Sequence, residues 1–317
     1  MNLKPLFFIG KRLASMALIV VGVVIILFFL LHLAPGNPAQ ILAGFQATPE
    51  VVHQIEVKYG LDKPLYVQLM TYLTNMIRLD LGTSIMSQRP VTDEIMARLP
   101  NSLMLATVAI VEAIAISLPL GVLAAAKAGS RFDAAVTAFT SIGVALPTFW
   151  TGLMLMLLFA VELHLLPAGG IGGPQNFILP SITMAVPISA PIIRVTRNAA
   201  LEVLEKPFVK LAIAKGLSMR EVLMKHVLKN ALIPAVTLIG LQFGVLIRSA
   251  VITETVFAWP GIGKLLVDSI FARDYPLVQG TVFVIAIIYV AINLALDVAY
   301  VVIDPRLRSG VSTEWRF

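Results

Sequence analysis

Six stretches of the chain are apolar over about 20 residues with few or no charges, the pattern of helices that cross a bilayer. They run from Leu13 to Ala34, from Leu99 to Ala126 and from Ala134 to about Val161. Three more run from about Phe177 to Ile193, about Ala231 to Thr253, and about Leu277 to Val302. The first follows Lys11 and Arg12 and is too long for the apolar core of a secretion signal, so it reads as a retained span. Pro147 lies in the third stretch, and Pro180, Pro187 and Pro191 lie in the fourth. Each proline removes a ladder hydrogen bond, which predicts a kink.

The polar intervals carry their own signals. In the long interval 35–98, Thr48-Pro49-Glu50 reads as an N-cap, a proline in the first turn and an acid beside it. Gly60 ends that helix, and Pro64 to about Ile77 predicts a second, giving a small folded subdomain. Residues 254–276 read as a re-entrant, scoop-like segment containing Pro260, Gly261 and Gly263. In the basic interval 194–230, Gly216 is placed as a left-handed helix cap. Ser218 and Glu221 form a capping box that opens the next helix. Two short helices meeting at a glycine turn are expected there, with Ala212, Ala214, Lys215, Gly216 and Leu217 on the turn surface. Small residues beside one apolar knob suit a docking element; a solvated basic loop that only fixes topology is the bland alternative.

Composition agrees with the spans. Of 317 residues, 58% are apolar and 13% charged, against about 25% charged in soluble domains. Mean hydropathy is +0.90. A soluble fold, a disordered chain and a basic nucleic-acid binder are excluded together. The net charge of +6 is explained by topology. With six spans, the side holding both termini carries sixteen Lys and Arg and the other carries seven, which predicts cytoplasmic termini. There is no cysteine, hence no disulfide frame or thiolate metal site.

Reactive chemistry is scarce. No G-x-x-x-x-G-K-[ST] loop is present, and Gly261-Ile-Gly-Lys264 lacks the spacing. The histidines His32, His53, His164 and His226 show no metal-ligand spacing, and there is no G-x-S-x-G elbow. Glu112, Arg248 and Asp297 are charges in or near spans. Such groups face bundle interiors or wet cavities by default, or pair structurally. Glu112, Arg248 and Glu254 are therefore candidates for a translocation pathway, while Asp297 lies close enough to an interface to reach water.

Several motifs, in order, carry a family resemblance. They are Leu33-Ala-Pro-Gly-Asn-Pro-Ala39, Tyr59-Gly-Leu-Asp-Lys-Pro-Leu65, Leu79-Asp-Leu-Gly-Thr-Ser84 and Ala212-Ile-Ala-Lys-Gly-Leu-Ser218 with Lys229-Asn-Ala-Leu-Ile-Pro234. Further along stand Glu254-Thr-Val-Phe-Ala-Trp-Pro-Gly-Ile-Gly263, Arg273-Asp-Tyr-Pro-Leu-Val-Gln-Gly280, Asn293-Leu-Ala-Leu-Asp297 and Asp304-Pro305. The set resembles ABC importer permeases of the dipeptide/oligopeptide/nickel family, in the subunit type with a long first periplasmic loop. Asn37, Pro207-Phe208 and Lys210-Leu211-Ala212 depart from the family pattern.

The resemblance implies an all-α polytopic membrane protein with six transmembrane helices and the type I importer fold. It implies a first span over 1–34, a periplasmic subdomain over 35–98, a permease domain over 99–304 and a cytoplasmic tail over 305–317. Within the permease domain, coupling helices occupy about 199–230 and the periplasmic scoop about 254–276. The chain would be a permease half in a bacterial cytoplasmic membrane, without its own ATPase site. Expected partners are a second homologous permease, two cytoplasmic ATPase subunits that bind ATP and Mg, and an external substrate-binding protein. The cargo would be peptides or peptide-like solutes. ATPase coupling would fall on Lys210, Ala212, Ala214, Lys215, Gly216, Leu217, Ser218 and Glu221. Contact with the binding protein would fall on Trp259, Pro260, Gly261, Gly263, Arg273, Asp274 and Tyr275. A self-contained secondary transporter or channel is the alternative; it would normally carry inverted repeats and more spans. A membrane enzyme would need a reactive set that the sequence lacks.

Overall fold

The computed structural model describes residues 4–33, 38–44 and 47–303. Asn37, Asp304-Pro305, the tail and the side chain of Asp297 lie outside the described residues. Among those described, the regular elements are helical. Five helices are long and apolar enough to cross a membrane, or six if one bent pair is counted as a single span.

The chain divides into two compact units, with boundaries inside three of its helices. One unit comprises the described parts of Met1–Leu99 and Leu265–Ala295. It holds α1 (Lys4–Leu33), α2 (Pro38–Ala43), α3 (Pro49–Tyr59) and α4 (Leu65–Ile77), and most of α14 (Tyr275–Ile303). As the capping signals predict, α3 starts with Pro in its first turn and ends at Gly60, whose φ is 67°. The thirteen residues of α4 carry no charge, and its inner face packs on α1. Tyr72 and Met76 join Val24, Phe28 and Phe283 in one apolar cluster. His32 Nε2 lies 3.0 Å from Gln68 Oε1. The Gln68 amide donates to the carbonyls of Leu61 and Lys63, which fixes its oxygen toward the ring. Tyr275 donates its hydroxyl hydrogen to the Leu31 carbonyl at 2.8 Å. The expected second helix therefore forms at Leu65–Ile77, and it packs along the first span.

The other unit comprises Pro100–Lys264 and the described part of Leu296–Phe317. Its hub is α8 (Gln175–Leu204), an unbroken helix that accommodates all three of its prolines. It packs on α6 (Arg131–Ala145), α7 (Thr148–Met156), α11 (Leu228–Leu241) and α12 (Phe243–Val256). A core forms between Leu105, Ala109 and Ala113 of α5 (Val91–Ala126) and Met184, Ala185, Ile188 and Ile192 of α8. The α5–α8 crossing is close because Gly121 has no side chain; a Cβ there would lie 2.7 Å from Thr196 Cβ. Arg197 of α8 forms a two-pronged pair with Asp133 of α6, at 2.6 and 2.7 Å.

Two expected spans take other shapes. The third is broken at Leu146-Pro147, where α6 and the helix Thr148–Glu162 meet at 108°. Pro147 stands before the second helix in extended conformation, so the proline starts a new direction instead of kinking one rod. The fifth, expected over Ala231–Thr253, straddles two helices that meet at Gln242. The helical run long and apolar enough to cross a membrane here is Met219–Leu241. It passes through a wide π-helical stretch, Val222–Val227, before α11.

Candidate functional site

The glycine turn forms as the sequence predicts. The short helix α9 (Pro207–Ala214) ends in a Schellman motif: Gly216 N–H donates to the Ile213 carbonyl and Leu217 N–H to the Ala212 carbonyl. Gly216 has φ 84°, a conformation that costs any side chain about 1–2 kcal/mol. Ser218 and Glu221 complete the reciprocal capping box at 3.3 and 3.2 Å. The second helix is not short, however. Its first turn, α10 (Met219–Glu221), continues through the π-helical stretch into α11.

The turn is anchored from below by a core. Val209, Ala212, Val222 and Val227 pack with Val122, Ala125, Ala200 and Ala231. This corrects the expectation for Ala212, which is buried and supports the turn instead of lining its surface. Leu217 is half-buried against the same cluster. Lys210, Ala214, Lys215, Gly216, Ser218 and Glu221 are exposed, as a docking surface requires. The apolar part of that surface comes from residues the sequence reading passed over. Leu211 is 56% exposed and Met219 52%, flanked by Phe208 and Ile213. The available signal was their position: apolar residues beside the glycine on a helix whose inner face was already filled by Val209 and Ala212.

The start of the scoop is an internal clamp. Helix α13 (Ile262–Phe271) begins with backbone N–H groups that have no partner within the helix. Glu254 and Ser102 satisfy them. Glu254 Oε2 accepts from Gly263 N–H at 2.7 Å and from Lys264 N–H at 3.1 Å. Ser102 Oγ accepts from Ile262 N–H at 2.8 Å and donates to Glu254 Oε1 at 2.5 Å. A buried carboxylate is costly alone, but here it meets the positive end of a helix and three donors. Gly261 and Gly263 leave the room: a Cβ at either would collide with the carboxylate or with Val251. Asn101 accepts from the Trp259 indole at 3.1 Å and donates to the Pro260 carbonyl at 2.9 Å. Trp259 is fully buried. Glu254, expected as a pathway candidate, and Trp259, expected as a contact residue, are thus packed inside.

The end of the scoop has its own knot. Asp274 is buried and accepts from Ser84 Oγ at 2.5 Å and from the backbone N–H groups of Ile85, Met86 and Leu277 at 3.1–3.2 Å. This fixes the loop between Thr83 and Pro90. Arg273, half-exposed with φ 53°, and Tyr275, hydrogen-bonded to Leu31, flank it.

The remaining charges are Glu112 and Arg248. Glu112 Oε1 accepts from Ser181 Oγ at 3.0 Å, while its other oxygen is enclosed without a partner among the described residues. Arg248 is exposed on α12. Among the described residues no cluster of three His, Cys, Asp or Glu is placed to hold a metal ion.

Comparison with known proteins agrees across the chain. The profile described as "Binding-protein-dependent transport system inner membrane component" matches residues 117–309. Its N-terminal companion, "Binding-prot-dependent transport system membrane comp, N-term", matches 5–106. The glutathione transport system permease protein GsiC of Salmonella typhi is 38% identical over 301 residues, covering 95% of this chain and 98% of the relative. GsiC of Escherichia coli is similar to the same extent.

Proposed function

The chain belongs to the binding-protein-dependent transport system inner membrane component family, and from that premise we propose how it works. It is a multi-pass inner-membrane permease subunit of a binding-protein-dependent importer. In our reading it forms half of a translocation pathway, and a second homologous permease forms the other half. Two ATPase subunits, which bind ATP and Mg, dock on the exposed turn around Gly216. Both termini are cytoplasmic, in keeping with the excess of Lys and Arg on that side. The cargo is peptides or peptide-like solutes, a class that includes the glutathione of the similar permeases. In the same reading Glu112 and Arg248, as charges within spans, are the pathway candidates that would meet cargo.

The observation that carries this reading is the turn itself. Its backbone is locked by a Schellman motif and a capping box, and Leu211 and Met219 stand more than half exposed beside it. A rigid, apolar, small-residue surface gives a partner somewhere to seat and transmits its movement. A motor that grips this turn differently in its two nucleotide states shifts the equilibrium of the helices behind it. The test is reconstitution. Uptake should need the ATPase subunits, ATP and the binding protein together; uptake by this chain alone on an ion gradient would favour a secondary transporter.

A further inference from the structure

Arg194 is a charge that the function above leaves unused. The sequence sets it just past the fourth apolar stretch, at the head of the basic interval. The structure keeps it inside α8, ahead of the helix end at Leu204, and exposed. Helices α6 and α8 run antiparallel: Asp133 pairs with Arg197, and Gly143 lies against Val186 and Ala190. From that second contact, Arg194 lies about 9 Å nearer the end of α8 that leads to the Gly216 turn, whereas Thr140 and Ser141 lie only about 3–5 Å nearer. Yet Arg194 Nε donates to Thr140 Oγ1 and Nη2 to Ser141 Oγ, both at 3.1 Å. The guanidinium therefore turns back into the span, away from the nearer end of the helix. Both hydroxyls donate their own hydrogens to the Thr137 carbonyl at 2.9 Å, which leaves their lone pairs for the arginine.

An arginine facing lipid does the reverse and reaches for the nearest head groups. Among the described residues no carboxylate pairs with Arg194, whereas Asp133 neutralises Arg197 one turn on. A cation turned inward without a counter-charge needs water or an anion beside it. Its Nε–Nη2 edge is committed to the two hydroxyls. The Nη1–Nη2 edge has no partner among the described residues, and such an edge grips a carboxylate through two parallel hydrogen bonds.

We propose that Arg194 is an anion site on the wall of the translocation pathway and receives the free carboxylate of a peptide or peptide-like cargo. Thr140 and Ser141 are positioning residues that aim its open edge. The proposal rests on the importer reading given above and names the group of the cargo that this wall recognises. A lipid phosphate and a carboxylate of the second permease offer the same chemistry. The side chain's direction favours the cargo over the phosphate, since head groups at the nearer end would draw it the other way.

The chain contains no cysteine, so an introduced thiol reports its site cleanly. Thr137 is exposed on α6 one turn from Thr140 and Ser141, and its role is played by its carbonyl, which Thr137→Cys retains. The full complex carrying this cysteine is placed in nanodiscs at low salt. It is labelled with an anionic and a cationic thiol reagent, each rate referred to that of a small thiol in solution. The anionic reagent should be favoured several-fold. Dialanine at twice its Kd should slow anionic labelling about threefold, and its C-terminal amide, which lacks the carboxylate, should not. Arg194→Gln should abolish both the preference and the protection. Arg194→Lys should keep the preference and weaken the protection, because it retains the charge without the fork.

No labelling by either reagent would show the site to be dry and overturn the proposal. An absent anionic preference would do so too, by showing that the second permease already neutralises Arg194. So would a preference seen in phosphatidylcholine discs and lost in discs containing phosphatidylglycerol, which would assign the site to lipid. Absent protection, or equal protection by the amide, would likewise overturn it. Failure of ATP-driven uptake in the parent complex would sink the importer reading instead, and the labelling does not depend on it.

Discussion

The Glu254 carboxylate fills the space that a side chain on Gly261 would occupy. The acid caps α13 only because the approaching backbone is bare at Gly261 and again at Gly263. Gly261→Ala should cost about 1–3 kcal/mol by overpacking. Glu254→Ala should cost a similar amount by leaving Gly263 and Lys264 N–H unpaired. The double variant should be less destabilised than the sum, because removing the acid makes room for the methyl. Thermal unfolding of the four proteins measures the coupling, and strict additivity would disprove the shared space.

Glu254→Gln and Glu254→Leu should separate hydrogen bonding from shape. The amide can turn its oxygen to Gly263 and Lys264 N–H and its NH2 to Ser102, whereas leucine satisfies none of them. Glutamine should retain most of the stability and uptake, and leucine should lose at least about 1–3 kcal/mol. Equal loss in both variants would mean that the negative charge itself is required.

At Gly216 a Cβ would meet nothing within 4 Å, so the demand there is conformational. Gly216→Asn should keep the turn, since asparagine tolerates a left-handed backbone, and Gly216→Val should distort it. Gly216→Asp should insert normally yet lose coupled ATP turnover, because its side chain and charge obstruct a seated partner. Normal coupling in the aspartate variant would remove the docking surface from Gly216.

Leu211→Ser and Met219→Ser alter side chains that are more than half exposed. Stability should stay within about 0.5 kcal/mol, while retention of the ATPase subunits on purification should fall. Unchanged retention in the double variant would show that these side chains are not part of the interface.

Asp274→Ala leaves Ser84 Oγ and three backbone N–H groups without their acceptor. Hydrogen exchange should accelerate at Ile85 and Met86, whose amides donate to the carboxylate, with little change in α3. Unaltered exchange at both amides would contradict the knot.

Local features were legible because each is written within a few residues. The Gly60 and Gly216 caps, the Ser218–Glu221 box and the proline start of α3 all stand where sequence signals put them. Long-range features were not. Ser102 and Glu254 are 152 residues apart, and Ser84 and Asp274 are 190 apart. Glu254 read as a pathway charge because sequence shows an acid near a span but not the helix end awaiting it. The break at Gln242 was hidden because apolar character continues across it. Helix α5 begins at Val91, ahead of the expected Leu99, because Asp93 and Glu94 suit the first turn of a helix even though they end an apolar run. Apolar periodicity locates greasy segments; it does not record where polar ends are received.

The six residues Val222–Val227 sit between the Gly216 turn and the long helix beyond it. Such a widened coil holds more chain per revolution than its neighbours. It can hand that slack along by exchanging hydrogen-bond partners without unwinding the rod. If a partner seats at the turn as proposed, its thrust would reach the long helix through this widened coil, where a change of register would turn push into twist.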